Sequence, residues 1–212
     1  MLKIDKEVTA SFDIDAQKTF SPFCPEELPV VEGDKIVDEL NKNKGFARLH
    51  VASRDAHSLN AVWIANAQNP PMSKMEGFAD MDIRWPAHAI VGTAGFEFLP
   101  GLDSKRYEYQ VFKGMVPDQH PYGACYHDFK EHQSTGAIEF LKVNNISTVI
   151  CGGLATDYCV KTTVLQLLKA GFKVIVNLAA CRGIAKETTE QAIAEMTAAG
   201  AVMIANAEEL AM

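Results

Sequence analysis

Runs rich in apolar and β-branched residues alternate with segments whose apolar positions recur at helical spacing. The pattern predicts strands over residues 8–14, 46–52, 107–112, 148–151, 172–176 and 201–204. It predicts helices over 33–44, 135–144, 160–170 and 187–199. Ile36, Val37 and Leu40 mark the inward face of the first helix, and Val160, Val164, Leu167 and Leu168 that of the third. Gly45, Gly171 and Gly200 supply stops. Such alternation implies an α/β fold, with a parallel sheet covered by helices on both faces. No repeat, low-complexity tract or linker interrupts it, so residues 1–212 are expected to form a single domain.

Two segments, 53–102 and 113–134, break the alternation. Both are polar, rich in Pro, Gly, His and aromatic residues, and both start at the predicted carboxyl end of a strand. Loops this long inside a compact domain are usually functional or disordered. In open parallel sheets the ligand crevice lies at that end of the strands. The apolar and aromatic content favours ordered loops that build a site.

Composition narrows the class. The length allows a large core, and a net charge of −7 without any basic run argues against a nucleic-acid surface. The five cysteines (Cys24, Cys125, Cys151, Cys159, Cys181) are odd in number and lack short paired spacing. They fit a reducing compartment better than a disulfide framework. Residues 1–7 are too charged for a secretory signal, and no apolar stretch is long enough to span a membrane. The expectation is a cytoplasmic protein with a small-molecule substrate and neither nucleic acid nor membrane as partner. A homo-oligomer is compatible with this composition.

Candidate chemistry gathers at strand ends. Cys159 closes the run Gly152-Gly153-Leu154-Ala155-Thr156-Asp157-Tyr158, between a predicted strand and a predicted helix. Unpaired amides and the helix dipole at such a junction favour negative charge. The position therefore predicts a lowered thiol pKa, a nucleophilic thiolate and amides able to hold an oxyanion. A buried structural cysteine that starts a core helix fits the same position. Asp15 follows the first strand and Lys113 ends the third. Alone, the first reads as a turn former and the second as a solvated charge. Together with Cys159 they form a nucleophile-activating set, in which the carboxylate takes the thiol proton and the ammonium steadies the negative charges. Asp55 and His57, with His88 further on, could bind a divalent ion and leave positions open. His120, His127 and His132 stand outside this set, and His50 reads as a hydrogen-bonded core histidine. Phe20, Trp85 and Tyr122 could wall a flat apolar ring or serve as ordinary packing.

In this order the elements Asp15-x-Gln17-x-x-Phe20, Arg54-Asp55-x-His57, Trp85-Pro86-x-His88 with Gly92-Thr93, Lys113-Gly114, Gly153-x-Ala155-Thr156-Asp157-Tyr158-Cys159-Val160 and Ala179-Ala180-Cys181-Arg182-Gly183 resemble the nicotinamidase/pyrazinamidase branch of the isochorismatase-like cysteine hydrolases. The resemblance covers nearly the whole chain. Other branches share the Asp, Lys and Cys but generally lack the Asp-x-His and Trp-Pro-x-His ligands. It implies an isochorismatase-like three-layer α/β/α sandwich with a mostly parallel sheet. It also implies metal-dependent hydrolysis of nicotinamide to nicotinate and ammonia through a thioester, in pyridine nucleotide salvage toward NAD, with pyrazinamide as a further candidate substrate. Asp15, Lys113 and Cys159 match the catalytic triad, and Asp55, His57 and His88 match the ligands of one divalent ion, zinc first, with iron or manganese as alternatives. Phe20, Trp85 and Tyr122 match pocket positions around the pyridine ring. The amides of Ala155 and Cys159 match the oxyanion hole, and the Leu154–Ala155 peptide is expected to be cis.

Several positions depart from that pattern. Asp13 stands where an apolar residue is usual; at strand spacing it shares a face with Asp15, where it either perturbs the triad or binds a neighbouring donor. Thr19 replaces a frequent acidic residue, and Ala89 a frequent cysteine. Residues 61–64 lack the extra histidine that some members place near the metal, and Gly123-Ala124-Cys125 replaces a commoner Ser-Ala-Phe run. Three other readings compete: a hydrolase of the same fold acting on a carbamoyl or ureido substrate, a non-catalytic metal-binding scaffold, and a redox sensor at Cys159.

Overall fold

In chain order the computed structural model, which describes residues 1–212, contains β1 (Leu2–Lys3), β2 (Thr9–Ile14), α1 (Val37–Gly45), β3 (Leu49–Asp55), β4 (Tyr109–Lys113), α2 (Ala137–Val143), β5 (Thr148–Leu154), α3 (Lys161–Lys169), β6 (Lys173–Arg182), α4 (Lys186–Ala198), β7 (Val202–Ile204) and β8 (Leu210–Ala211). Six strands form one parallel sheet in the order β4-β3-β2-β5-β6-β7, and β1 pairs with β8 apart from it. The chain builds outward from β2 through β3 to β4 on one side, and from β5 through β6 to β7 on the other. The reversal between β2 and β5 is a topological switch point, where a crevice opens at the carboxyl ends.

Every residue of β2 is buried, as expected for a central strand covered on both faces. Phe12, Ile14, Val149 and Val174 join Leu141 of α2, Val164 of α3 and Met196 of α4 in the largest core cluster. On the opposite face, Ile36 and Leu40 pack on Leu154 and Ala180. These layers are the α/β/α sandwich that the resemblance implies. No helix is long and apolar enough to cross a membrane.

Two strand limits differ from the periodicity in ways that matter. The second sheet strand in sequence starts at Leu49 rather than at 46, because Phe46 still caps α1, its N–H reaching Asn43 O at 3.1 Å. It then runs on to Asp55, which places that carboxylate on a rigid strand rather than in a loop. Likewise β5 continues through Gly152 and Gly153, paired with Asp13 and Ile14, beyond the apolar run. Gly153 has φ +143°, and a Cβ there would sit 1.9 Å from the Ile14 carbonyl oxygen. Only glycine lets β5 approach β2 this closely.

Asp13 binds donors of its own. Its carboxylate pairs with the buried Lys44 at 2.8 Å and accepts the Tyr107 hydroxyl at 2.7 Å. Burial still pushes the Asp13 carboxyl above its ordinary value, against the pull of Lys44 and Tyr107. Removing one partner of a buried pair strands the other charge. Lys44→Met is therefore expected to destabilise the fold by about 3 kcal/mol, read from the midpoint of urea unfolding. An unchanged midpoint would show that the pair contributes nothing.

Candidate active site

The ends of neighbouring parallel strands deliver the polar groups. Asp15 follows β2, Asp55 ends β3, Lys113 ends β4, and Cys159 lies in the wide turn after β5. Asp55 and Lys113 are register partners. The turn carries a π-type bond from Val160 N–H to Ala155 O at 3.1 Å, and the Leu154–Ala155 peptide is cis. The Ala155 N–H makes no backbone hydrogen bond.

Lys113 is the junction. Its ammonium is wholly buried and lies 3.0 Å from Asp15 Oδ2, 3.1 Å from the Pro121 carbonyl and 3.6 Å from Cys159 Sγ. It also donates to Asp55 Oδ1. Ser53 Oγ donates to Asp15 Oδ1 at 2.6 Å. Gln17 fixes the end of β3, donating to Asp55 O and accepting from Asp55 N–H, both at 2.8 Å. The Asp15 and Asp55 carboxylates and Cys159 Sγ each offer an atom within 4.8 Å of the other two.

These contacts set the charge states. Burial alone would lower the Lys113 ammonium, but Asp15, Asp55 and Cys159 outweigh it and hold it well above its ordinary value. Burial would raise Asp55, yet the Lys113 ammonium holds it well below the usual carboxylate range. Asp15 is raised by burial, with Lys113 opposing and Asp55 adding to the rise. Cys159 is pushed well above 9.0 by burial, with Lys113 opposing and Asp15 and Asp55 adding to it. This corrects the expectation of a resting thiolate. The junction of strand and helix lies deep in the protein beside two carboxylates, and desolvation exceeds the help of one ammonium. The free site therefore holds a thiol next to the Asp15 carboxyl group.

His57 and His88 stand on the far side of Asp55. Their Nε2 atoms lie 3.5 and 3.7 Å from Asp55 Oδ2. Each Nδ1 faces a carbonyl, Gly114 O at 3.0 Å for His57 and Pro86 O at 2.7 Å for His88. A carbonyl only accepts, so each Nδ1 carries the proton and each Nε2 turns a lone pair toward the carboxylate. His57 Nε2 has no hydrogen-bond partner. Lone pairs facing a carboxylate need a cation between them, and one ammonium against two carboxylates leaves a buried negative charge. The donor set thus fits a divalent metal ion. Thr19 and Ala89, both departures from the expected pattern, position this segment: Ala89 N–H reaches Thr19 Oγ1 at 3.1 Å and Glu27 Oε2 at 2.9 Å.

Cys159, Asp55, His88 and His120 line one cavity. Phe20, Trp85 and Tyr122 line it, as expected, joined by Leu28, Tyr158 and Ile184. Trp85 Nε1–H donates to Tyr122 OH at 3.2 Å, which donates to Asp82 at 2.6 Å. The turn Gly123-Ala124-Cys125 lies behind this wall. Ala124 N–H bonds Thr163 and Cys125 N–H bonds Gln166 of α3, so the altered run packs into the core and leaves the cavity wall to Tyr122.

The isochorismatase domain model matches residues 10–208. The chain belongs to the isochorismatase family. It is 33% identical over 183 residues to a nicotinamidase of Escherichia coli, covering 83% of this chain and 85% of the relative. A nicotinamidase/pyrazinamidase structure from Acinetobacter baumanii superposes with a TM-score of 0.88 at 30% identity, over 96% of this chain and 98% of the other. A pyrazinamidase of Pyrococcus horikoshii in complex with zinc superposes with a TM-score of 0.73 at 32% identity, over 93% and 98%.

In this isochorismatase-family site, sequence reading missed His120 and Tyr158. His120 faces the same cavity and is 3% exposed. Burial holds it well below its ordinary pKa. Its only signal in the sequence was its place two residues before Tyr122 in a long strand-end loop. For the free protein, iodoacetamide labelling of Cys159 is expected to keep accelerating with pH beyond 9.0, since the thiol is raised above that value. A labelling rate that plateaus near neutrality would contradict the buried-thiol account.

Proposed function

We propose that this chain is a metal-dependent cysteine amidase that hydrolyses nicotinamide to nicotinate and ammonia, a salvage step toward NAD. The observation that carries the reading is the arrangement around Asp55. A thiol, an ammonium and a carboxylate lie on one side and imidazoles on the other, beside a cavity walled by aromatic side chains. Nicotinamide has a matching pair of ends, a carboxamide and a ring nitrogen. The similarity to nicotinamidases supports the same substrate.

Asp55, His57 and His88 would hold the ion, zinc by the precedent of the zinc-bound relative, with iron or manganese compatible with the same donors. A divalent ion supplies Lewis acidity there, for orienting a ring nitrogen and for acidifying water. The remaining chemistry belongs to the chain. Phe20, Trp85 and Tyr122 hold the ring. Asp15 takes the Cys159 proton as the sulfur bonds to the carboxamide carbon, and Lys113 steadies the carboxylate and the sulfur. The amides of Ala155 and Cys159 hold the oxyanion; such a donor is typically worth about 3 to 4 kcal/mol in the transition state. Asp15 returns the proton to the leaving nitrogen, the C–N bond breaks and ammonia departs, leaving a thioester. Water then adds to the thioester, nicotinate leaves, and Cys159 recovers its proton. Free thiols at all five cysteines agree with a cytoplasmic setting.

Cys159→Ala is expected to cut ammonia release from nicotinamide by at least about 10⁴-fold, with an unchanged circular dichroism spectrum. Substantial residual turnover would remove Cys159 as the nucleophile. Faster release from a ureido compound than from nicotinamide in the same panel would favour the other substrate class. Asp15 must be ionised to act, and its pKa is raised, so kcat/KM is expected to fall with acid at a pH above 3.8. Full activity retained down to that pH would exclude Asp15 as the base.

A further inference from the structure

We propose that His120 is a fourth protein ligand of the ion, so that this chain builds a centre of three histidines and one aspartate. The inference rests on the metal-dependent reading above and adds a residue from a different loop. His57, His88 and His120 each offer a ring nitrogen, all within 4.8 Å of one another. Both nitrogens of His120 are buried and have no hydrogen-bond partner. A neutral imidazole carries one donor and one acceptor, so a packing role leaves both unsatisfied, whereas ligation uses the lone pair.

Ring placement points the same way. The centroids of His57 and His88 lie 4.8 Å apart, those of His57 and His120 5.0 Å, and those of His88 and His120 5.6 Å. An ion about 2.1 Å from each donor nitrogen sits about 3.2 Å from each ring centre, which sets adjacent ligand rings about 4.5 to 5.3 Å apart. The triangle needs only a slight contraction. Trp63 holds it from outside, edge-on to His57 at 4.6 Å and to His120 at 4.5 Å. Trp63 belongs to the stretch 61–64 that lacks a histidine, so the loop after β4 supplies the imidazole that this stretch does not. The loop is anchored on both sides of the ring: His120 N–H bonds Asp80 O at 2.8 Å, and the Pro121 carbonyl accepts from Lys113 at 3.1 Å. Three imidazoles favour zinc, iron or cobalt over magnesium or calcium.

The test is X-ray absorption of the wild-type protein loaded with one equivalent of cobalt, with cobalt affinities of wild type, His120→Ala and His120→Asn measured by competition with a chelator. Three imidazoles per ion in wild type and two in either variant are expected, with affinity lowered by more than the roughly 10- to 100-fold loss typical of a residue outside the ligand shell. Two imidazoles in wild type, with unchanged affinity in the variants, would overturn the assignment. That result with a raised KM for nicotinamide would make His120 a substrate contact instead. Three imidazoles in a preparation that releases no ammonia from nicotinamide would uphold His120 while overturning the proposed reaction. The wild-type spectrum needs no variant to fold.

Discussion

The buried ammonium of Lys113 is the contact on which the site depends. It has no exposure to solvent, and it touches Asp15, Asp55 and the Cys159 sulfur at once. Without it, two carboxylates would face each other in a dry interior, where like charges cannot both persist. With it, Asp55 is free to present its second oxygen to the histidines, while Asp15 stays next to the thiol. The sheet makes this arrangement cheap to hold. Adjacent parallel strands end together at the switch point, so positioning comes from the ladder rather than from loops.

The same strand shows what chemistry adds to packing. Asp13 lies within β2 and Asp15 just beyond its end, each beside a lysine from another element. Asp13 with Lys44 is sealed under Tyr107 and touches no cavity, so it serves the fold. Asp15 with Lys113 faces the thiol. Burial raises both carboxyls; only the neighbour differs.

Much of this was legible in the chain. Alternating apolar periodicities gave the layered architecture, and strand-end positions brought Asp15, Lys113 and Cys159 to one side of the sheet. The grouping of Asp55, His57 and His88 is legible in motif order alone, since scattered residues carry no periodic signal. The direction of the Cys159 pKa was misjudged because helix position was weighed and burial was not visible. His120 escaped for a related reason. Its loop has no regular pattern, and only the folded chain shows that its ring lies beside that of His57. The glycines at 152 and 153 hid the end of β5, since residues without side chains give no alternation to read.

The central claim is that one ring spans the cavity between the thiol and the histidines. A crystal structure of metal-loaded Cys159→Ala soaked with nicotinamide, with the ion located by anomalous scattering, tests it directly. The account predicts the carboxamide carbon over position 159 and the ring nitrogen turned toward His57, His88 and the ion. Nicotinamide bound elsewhere, or an ion remote from Asp55, would contradict it.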